Sequence, residues 1–350
     1  SKDQLAKKYE SLSDRLRRNK GKGMKKNVAE AFKWGRDAGK NFLKNPSKTL
    51  MGMAYKINGN VATMMRYLDG KNKFFEKHVY RNLNRMFEGW KGGVQTQRDF
   101  MNHMADKIFG GKKGIKAIQN LKQIKANHDI KIKPFKDING KIVKEQNFSG
   151  SQLMRIYALS KNPEQKRKMM KNNEGEFKLT EESFKQIEEI LGADVKTFVD
   201  QVVDYLSNDY FQSIDNVYQD VNNVGLNQIE NYFPTKTDMT NAQENQMANL
   251  IDEGDYAGTF NAQYASALKQ RTDSKGKVEL MHGFFGELDN HFESMEKFKN
   301  YAPGVKEINT VLGTPAVDAA LQMTGFKGHL KTLLNIAINP DAEQNIFKAN

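Results

Sequence analysis

Cysteine is absent from this 350-residue chain, so disulfide bonds, thiol nucleophiles and cysteine-ligated zinc are all excluded. Proline is scarce, at 7 residues, while Lys, Glu, Gln, Met and Leu are plentiful. That balance favours helix, because few positions break the backbone ladder. No apolar run of about 18 residues occurs, so no transmembrane helix is expected. No secretory signal pattern is visible, and the chain reads as a processed form or an ordered piece of something longer. The 6 histidines, His78, His103, His128, His282, His291 and His329, never fall at i, i+3 or i, i+4 spacing. No metal site or cofactor is therefore expected.

What the chain does have is charge, unevenly placed. Residues 1–150 carry 35 Lys/Arg against 13 Asp/Glu, a net +22, and the other 200 residues carry 20 against 29, a net −9. Folding does not require such a split, so it points to an anionic partner for one half. The densest cluster is Lys7, Lys8, Arg15, Arg17, Arg18, Lys20, Lys22, Lys25 and Lys26. A cluster of this kind neutralises phosphates and releases counterions, giving salt-sensitive nucleic-acid binding without sequence preference. The alternatives are a plain solvated surface, a patch that docks on the acidic half or on another protein, or a basic amphipathic helix lying on anionic lipid.

The coarse organisation is a succession of helices. Residues 1–45 read as a basic helical arm, broken at Lys20–Gly23, and 46–128 as a basic helical region. Within the latter, Gly92-Gly93 is read as a break between helices over 72–90 and 94–109, and a short helix runs to about 126. The period then changes to two. Ile130 to Lys133 alternates, and Asn139-Gly140 sits between apolar runs, which predicts a β-hairpin over 129–146 within a 129–148 segment. Helices resume over 149–235. Asn162-Pro163 separates two of them, Thr180-Glu181-Glu182-Ser183 opens a helix to Leu191, Ser183 with Gln186 gives a capping-box pattern, and Gly192 is a stop. Residues 194–221 carry Val195, Phe198, Val199, Val202, Leu206, Tyr210, Ile214 and Val217 at spacings of three and four, which predicts one long helix. An extended connection follows to Tyr232, Phe233 and Pro234, expected to anchor it against the helices. The remainder, 236–350, is expected to be a helical region with a long helix over 276–299, then short helices divided at Pro303-Gly304 and Gly313-Thr314-Pro315. The fold class that results is mainly α, an elongated multi-helix assembly with one small β-hairpin near 129–146.

Catalytic signatures are missing. A phosphate loop at Gly110–Gly114 fails because Asp106 and Lys113 stand where a Gly and a Ser or Thr are needed. Asp137 to Gly140 superficially resembles a calcium loop, but its Gly comes two positions early. The paired carboxylates Glu181-Glu182, Glu188-Glu189 and Glu287 with Asp289 sit on amphipathic helices, where a solvated face is expected. No catalytic residue is assigned.

Four segments, in order, resemble one family. They are Met64–Gly70; Ser149–Asn162; the 194–221 helix running into Asn231-Tyr232-Phe233-Pro234; and 264–312, with Leu268–Arg271, Leu288, His291, Glu296 and Val305–Asn309. Together they are similar to internal virion proteins of tailed bacteriophages, the large polyvalent family of ejection or cargo proteins. The likeness covers roughly residues 60–338 and leaves the basic arm outside it. It implies a non-enzymatic helical protein, held in the capsid or tail lumen and ejected with the genome to help carry it across the host envelope, ending in that envelope or the cytoplasm. Its implied partners are phage genomic DNA, other virion proteins (portal, tail, cargo) and further copies of itself, with contact to an anionic membrane also in view. An intracellular nucleic-acid-binding or DNA-packaging accessory protein is the alternative.

Overall fold

The computed structural model describes residues 73–136, 139–170, 179–234, 282–323, 327, 328 and 330. These residues are 75% helical with a single antiparallel hairpin, so the fold is mainly α with one small β-hairpin. The elements are α1 (Arg81–Phe109), α2 (Ile115–Gln119), α3 (Lys122–Lys125), β1 (Asn127–Lys136), β2 (Ile142–Ser149), α4 (Gly150–Ser160), α5 (Pro163–Met170), α6 (Glu181–Tyr205), α7 (Phe211–Asn222), α8 (Phe284–Leu312) and α9 (Pro315–Met323). A π-helical turn, Glu76–Tyr80, precedes α1, and another, Leu206–Tyr210, joins α6 to α7. The chain divides into two compact units, one of 1–87, 250–263 and 301–350, the other of 88–249 and 264–300.

In the first unit the described core is apolar, built from Phe74, Phe75, Val79, Val305, Ile308 and Val317 among others. Gly304 is there because Met86 is close: a Cβ on it would lie 2.6 Å from the Met86 Sδ. His78 Nδ1 stands 3.9 Å from the Glu307 carboxylate. Burial pushes the Glu307 carboxyl up, but hydrogen bonds from His78 and Asn82 and the nearby Arg85 charge hold it below the usual range.

In the second unit the hairpin is the first landmark. Asn127 pairs with Ser149, Lys131 with Glu145 and Lys136 with Ile142, and the register shifts between Lys131 and Phe135. Pro134, which has no N–H to donate, falls in that irregular stretch. Ile130, Ile132 and Phe148 are buried, while Lys131 and Lys133 alternate outward. Ser149 then caps α4: its hydroxyl accepts from the Gln152 N–H, and the Gln152 side chain accepts from the Ser149 N–H. Gly150 is obligatory here, since a Cβ would meet the Ile124 Cα at 2.4 Å.

Helices α4 and α6 form the middle of this unit, through Leu153, Ile156 and Leu159 on one and Phe184, Ile187 and Leu191 on the other. The 194–221 periodicity is realised in continuous helical turns. Seven of its eight marked residues are buried, and Val217 is half-buried. Gly192 does interrupt the helix, with φ 73° and ψ 173°.

Several boundaries differ from expectation. Gly92-Gly93 does not break the chain; α1 runs straight through it. Pro303-Gly304 does not divide α8, although proline in a helix interior costs about 3 kcal/mol. Tyr301, Ala302, Val305 and Ile308, all buried, outweigh that local penalty. Helix α6 does open at Thr180, but the capping box pairs Thr180 with Ser183 rather than Ser183 with Gln186. The long C-terminal helix begins at Phe284, not 276, after non-helical residues 282–283; the earlier part of that expected span lies outside the described residues. The stretch to 126 forms two short helices, α2 and α3, rather than one. The breaks at Asn162-Pro163 and Gly313–Pro315 stand as expected.

Candidate nucleic-acid interface

The nine cationic residues from Lys7 to Lys26 lie outside the described residues, as does the Met64–Gly70 segment. The described part of the basic half carries its own lysines. Between 107 and 144 there are 11 lysines and 2 aspartates, with no arginine or glutamate. Every one of those lysines is exposed. Lys141 apart, none of them has an ion-pair partner among the described residues.

The lysines stand on a frame that is well tied down. The Asp106 carboxylate accepts from the Gly114 N–H at 2.6 Å, and Asn102 Oδ1 accepts from the Ile115 N–H at 3.0 Å. The glycine-rich loop is thereby closed onto α1, with Gly110, Gly111 and Gly114 all at positive φ, which glycine adopts freely. Gly114 also has no room for a side chain, since a Cβ would sit 2.3 Å from Asn102 Oδ1. Ile118 and Ile124 plug α2 and α3 into the core, leaving their lysines outside. The Gln186 side chain bridges the hairpin to α6, accepting from the Lys131 N–H at 3.1 Å and donating to the Asp129 carbonyl at 3.1 Å.

Beside this frame a groove of about 340 Å³ is lined by Met101, Asn102, Ile115, Phe285 and Leu288, with Arg98 and Asp289 at its polar end. Those two already satisfy each other through paired bonds of 2.8 Å, and the Asp289 carboxylate raises the Arg98 pKa. The polar end offers no unpaired charge to a ligand on that account.

Behind the surface lies a buried polar chain. Tyr205 donates to Gln97 Oε1 at 2.6 Å, Gln97 donates to Glu296 Oε1 at 2.9 Å, and Lys299 reaches the same oxygen at 2.9 Å. Glu296 is 2% exposed, and Lys299 also lies over the Tyr210 ring. Gly93 faces this carboxylate so closely that a Cβ would be 2.2 Å from Glu296 Oε2. Spacing alone gives no sign that Gln97 and Glu296 meet, 199 residues apart. Glu287 likewise departs from the solvated face expected of it: it is 5% exposed. Glu181, Glu182, Glu188 and Glu189 do lie on an exposed face. The Tyr157, Lys161 and Asp200 side chains form a smaller cluster, with Lys161 Nζ at 2.8 Å from Asp200. Burial and the neighbouring carboxylate both raise the Tyr157 pKa, the opposite of what an activated phenolate needs.

Tyr232, Phe233 and Pro234 close the connection after α7. The Tyr232 N–H donates to Ser207 Oγ at 2.8 Å, and Gln228 donates to the Ser207 carbonyl at 2.8 Å, so the π-helical turn supplies both acceptors. The Phe233 ring stacks on Phe284 with centroids 4.9 Å apart, and Phe233 and Pro234 are buried. The Asp215 carboxylate holds the start of the same connection through the Leu226 N–H at 2.6 Å. His291 sits against Tyr232 and Tyr210, and burial among these rings pulls its pKa from 6.5 down to about 4. Among the described residues no group of three His, Asp or Glu side chains is placed to hold a metal, and no helix is long and apolar enough to cross a membrane.

Comparison with family models, with curated proteins and with solved structures finds no match to this chain.

Proposed function

We propose that this chain is a non-enzymatic internal protein of a tailed bacteriophage particle, stored in the capsid or tail and ejected with the genome to assist DNA delivery across the host envelope. One observation supports the reading most. Three of the four segments that resemble that family contribute to one packed core. Ser151, in the Ser149–Asn162 segment, accepts the Phe284 N–H at 3.0 Å at the start of α8. Phe198, in the 194–221 helix, lies 6.2 Å from the Phe284 ring. Phe233 stacks on the same ring, and Tyr232 meets His291 at 5.5 Å. Ser149–Asn162, the 194–221 helix with Tyr232–Pro234, and the Phe284–His291 part of the last segment, separate in sequence, thus pack together in the second unit. The charge division supplies the DNA contact, with the arm's cluster from Lys7 to Lys26 as its first candidate.

The alternative, an intracellular nucleic-acid-binding or packaging accessory protein, is favoured by the charge alone, which asks for DNA but not for a particle. Density-gradient purification of particles from infected cells separates the two. Co-migration with infectious particles is expected. Recovery only in the soluble cell fraction overturns the virion reading and leaves the accessory one.

A further inference from the structure

We infer that the lysine-bearing hairpin and the helical turns before it, residues 107–136 and 139–144, form a second docking surface for the sugar-phosphate backbone of duplex DNA. The inference shares the DNA partner of the proposed function but rests on other residues. Its charge is one-sided: 11 lysines against 2 aspartates across 107–144. All 11 are exposed; the countercharges on the paired strands are Asp129, which accepts from the Asn147 side chain, and Glu145, opposite Lys131. A surface with so little internal neutralisation attracts a polyanion, and counterion release makes that attraction strong at low salt.

Three features choose duplex DNA among polyanions. The apolar residues of the segment point inward: Ile118 and Ile130 are 0% exposed, Ile132 is 5% and Ile124 is 7%. Ile142, at 56%, is the exposed large apolar side chain here. A lipid-seeking surface needs an apolar face beside its lysines, and this one has a single residue. Binding to single strands relies on exposed aromatic rings for base stacking, whereas Phe109 and Phe135 are half-buried. The shape also fits. A two-stranded ribbon enters a major groove, and the ten residues of β1 extend about 34 Å, roughly one helical turn of duplex. Lysine rather than arginine throughout matches a point-charge contact with phosphates instead of bidentate reading of guanine.

The test is the salt dependence of duplex binding by the full chain, read by fluorescence anisotropy. The ribbon variant replaces Lys131, Lys133, Lys136 and Lys144 with Gln; a second variant replaces Lys112, Lys113, Lys116 and Lys122; a third replaces Arg15, Arg17, Arg18, Lys25 and Lys26. All of the first eight side chains are exposed, and circular dichroism checks that helix content is unchanged. Each phosphate that a variant no longer neutralises flattens the log K against log salt slope by about 0.9, so the ribbon variant is expected to flatten it by up to about 3.6. The same four positions as Arg should restore the slope. An unchanged slope in both the ribbon and the loop variants overturns the inference, even if the arm variant lowers it. Loss of binding to vesicles of mixed phosphatidylserine and phosphatidylcholine, with duplex binding intact, overturns it in favour of lipid. Neither result bears on whether the protein travels in the particle, which the gradient reads separately.

Discussion

Adjacent glycines in α1 should respond to the same substitution with opposite signs. Gly92 is exposed and has nothing within 4 Å of where a Cβ would stand. Gly93 points at a buried carboxylate, with Glu296 Oε2 at 2.2 Å and Cδ at 2.9 Å from that position. Gly92→Ala gains helix propensity, about 1 kcal/mol. Gly93→Ala gains the same amount and must also push the Glu296 carboxylate away. That carboxylate is fixed by Gln97 and by Lys299, each at 2.9 Å, so it cannot swing aside and keep both partners. Hydrogen bonds to charged groups are worth about 1.5–3 kcal/mol each, so losing one or both outweighs the propensity gain. The net cost is about 0.5–5 kcal/mol, the lower end for one bond lost and the upper for both. Gly89→Ala should fall between the two, because the Asn300 side chain that it meets at 2.3 Å is half-buried and has more freedom. Thermal unfolding followed by circular dichroism gives the ordering. At roughly 2–4 °C per kcal/mol for a unit of this size, Gly92→Ala should raise the midpoint by a few degrees and Gly93→Ala lower it by several. Equal shifts of the same sign in the two variants would refute the close approach of α1 to Glu296.

Three further outcomes follow from the same geometry. Glu296→Ala leaves Lys299 and Gln97 without their buried partner and should cost about 3–5 kcal/mol in urea unfolding, whereas Arg98→Ala, whose pair with Asp289 is 41% and 47% exposed, should cost no more than about 1. For His291 the folded pKa lies below the unfolded value of 6.5, so the unfolded chain takes up the proton first; the stability contributed by its neutral ring is complete above 6.5 and is lost as pH falls towards about 4. Part of His291 reaches solvent, so that loss is at most about 3 kcal/mol, and His291→Phe should flatten the pH dependence of the urea midpoint through this window; an unchanged pH profile counts against it. Phe233→Ala removes a ring that is 3% exposed and should cost about 3–5 kcal/mol, with the connection after α7 becoming accessible to limited proteolysis; resistance equal to wild type would show that the stack on Phe284 does not hold the connection.

Local pattern is legible where one element decides its own structure. The Asn-Gly turn announces the hairpin, and the three-and-four spacing from Val195 to Ile214 announces a buried helical face, because each depends on residues near in sequence. Long-range contacts are not legible. Gly92-Gly93 looks like a breaker until Glu296 is seen against Gly93, and Pro303-Gly304 looks like a stop until Met86 is seen against Gly304. In both places a tertiary contact reverses the meaning of a glycine. The helix start at Thr180 is legible, but its capping box is not, because the partner is Ser183 and not the usual Glu or Gln. Glu287, one turn from exposed residues, defeats the pattern because amphipathic spacing gives a face its average character and not the fate of each carboxylate. Composition identifies the arm cluster, and the lysines of 107–144 carry the same compositional signal; their common exposure needs the structure.

Quantitative mass spectrometry of intact phage particles against particles emptied of DNA tests the proposed delivery role most directly. The protein is expected in full particles and is expected to be lost together with the genome. Retention at a fixed copy number after the DNA has left would contradict ejection, and absence from both kinds of particle would contradict the virion role altogether.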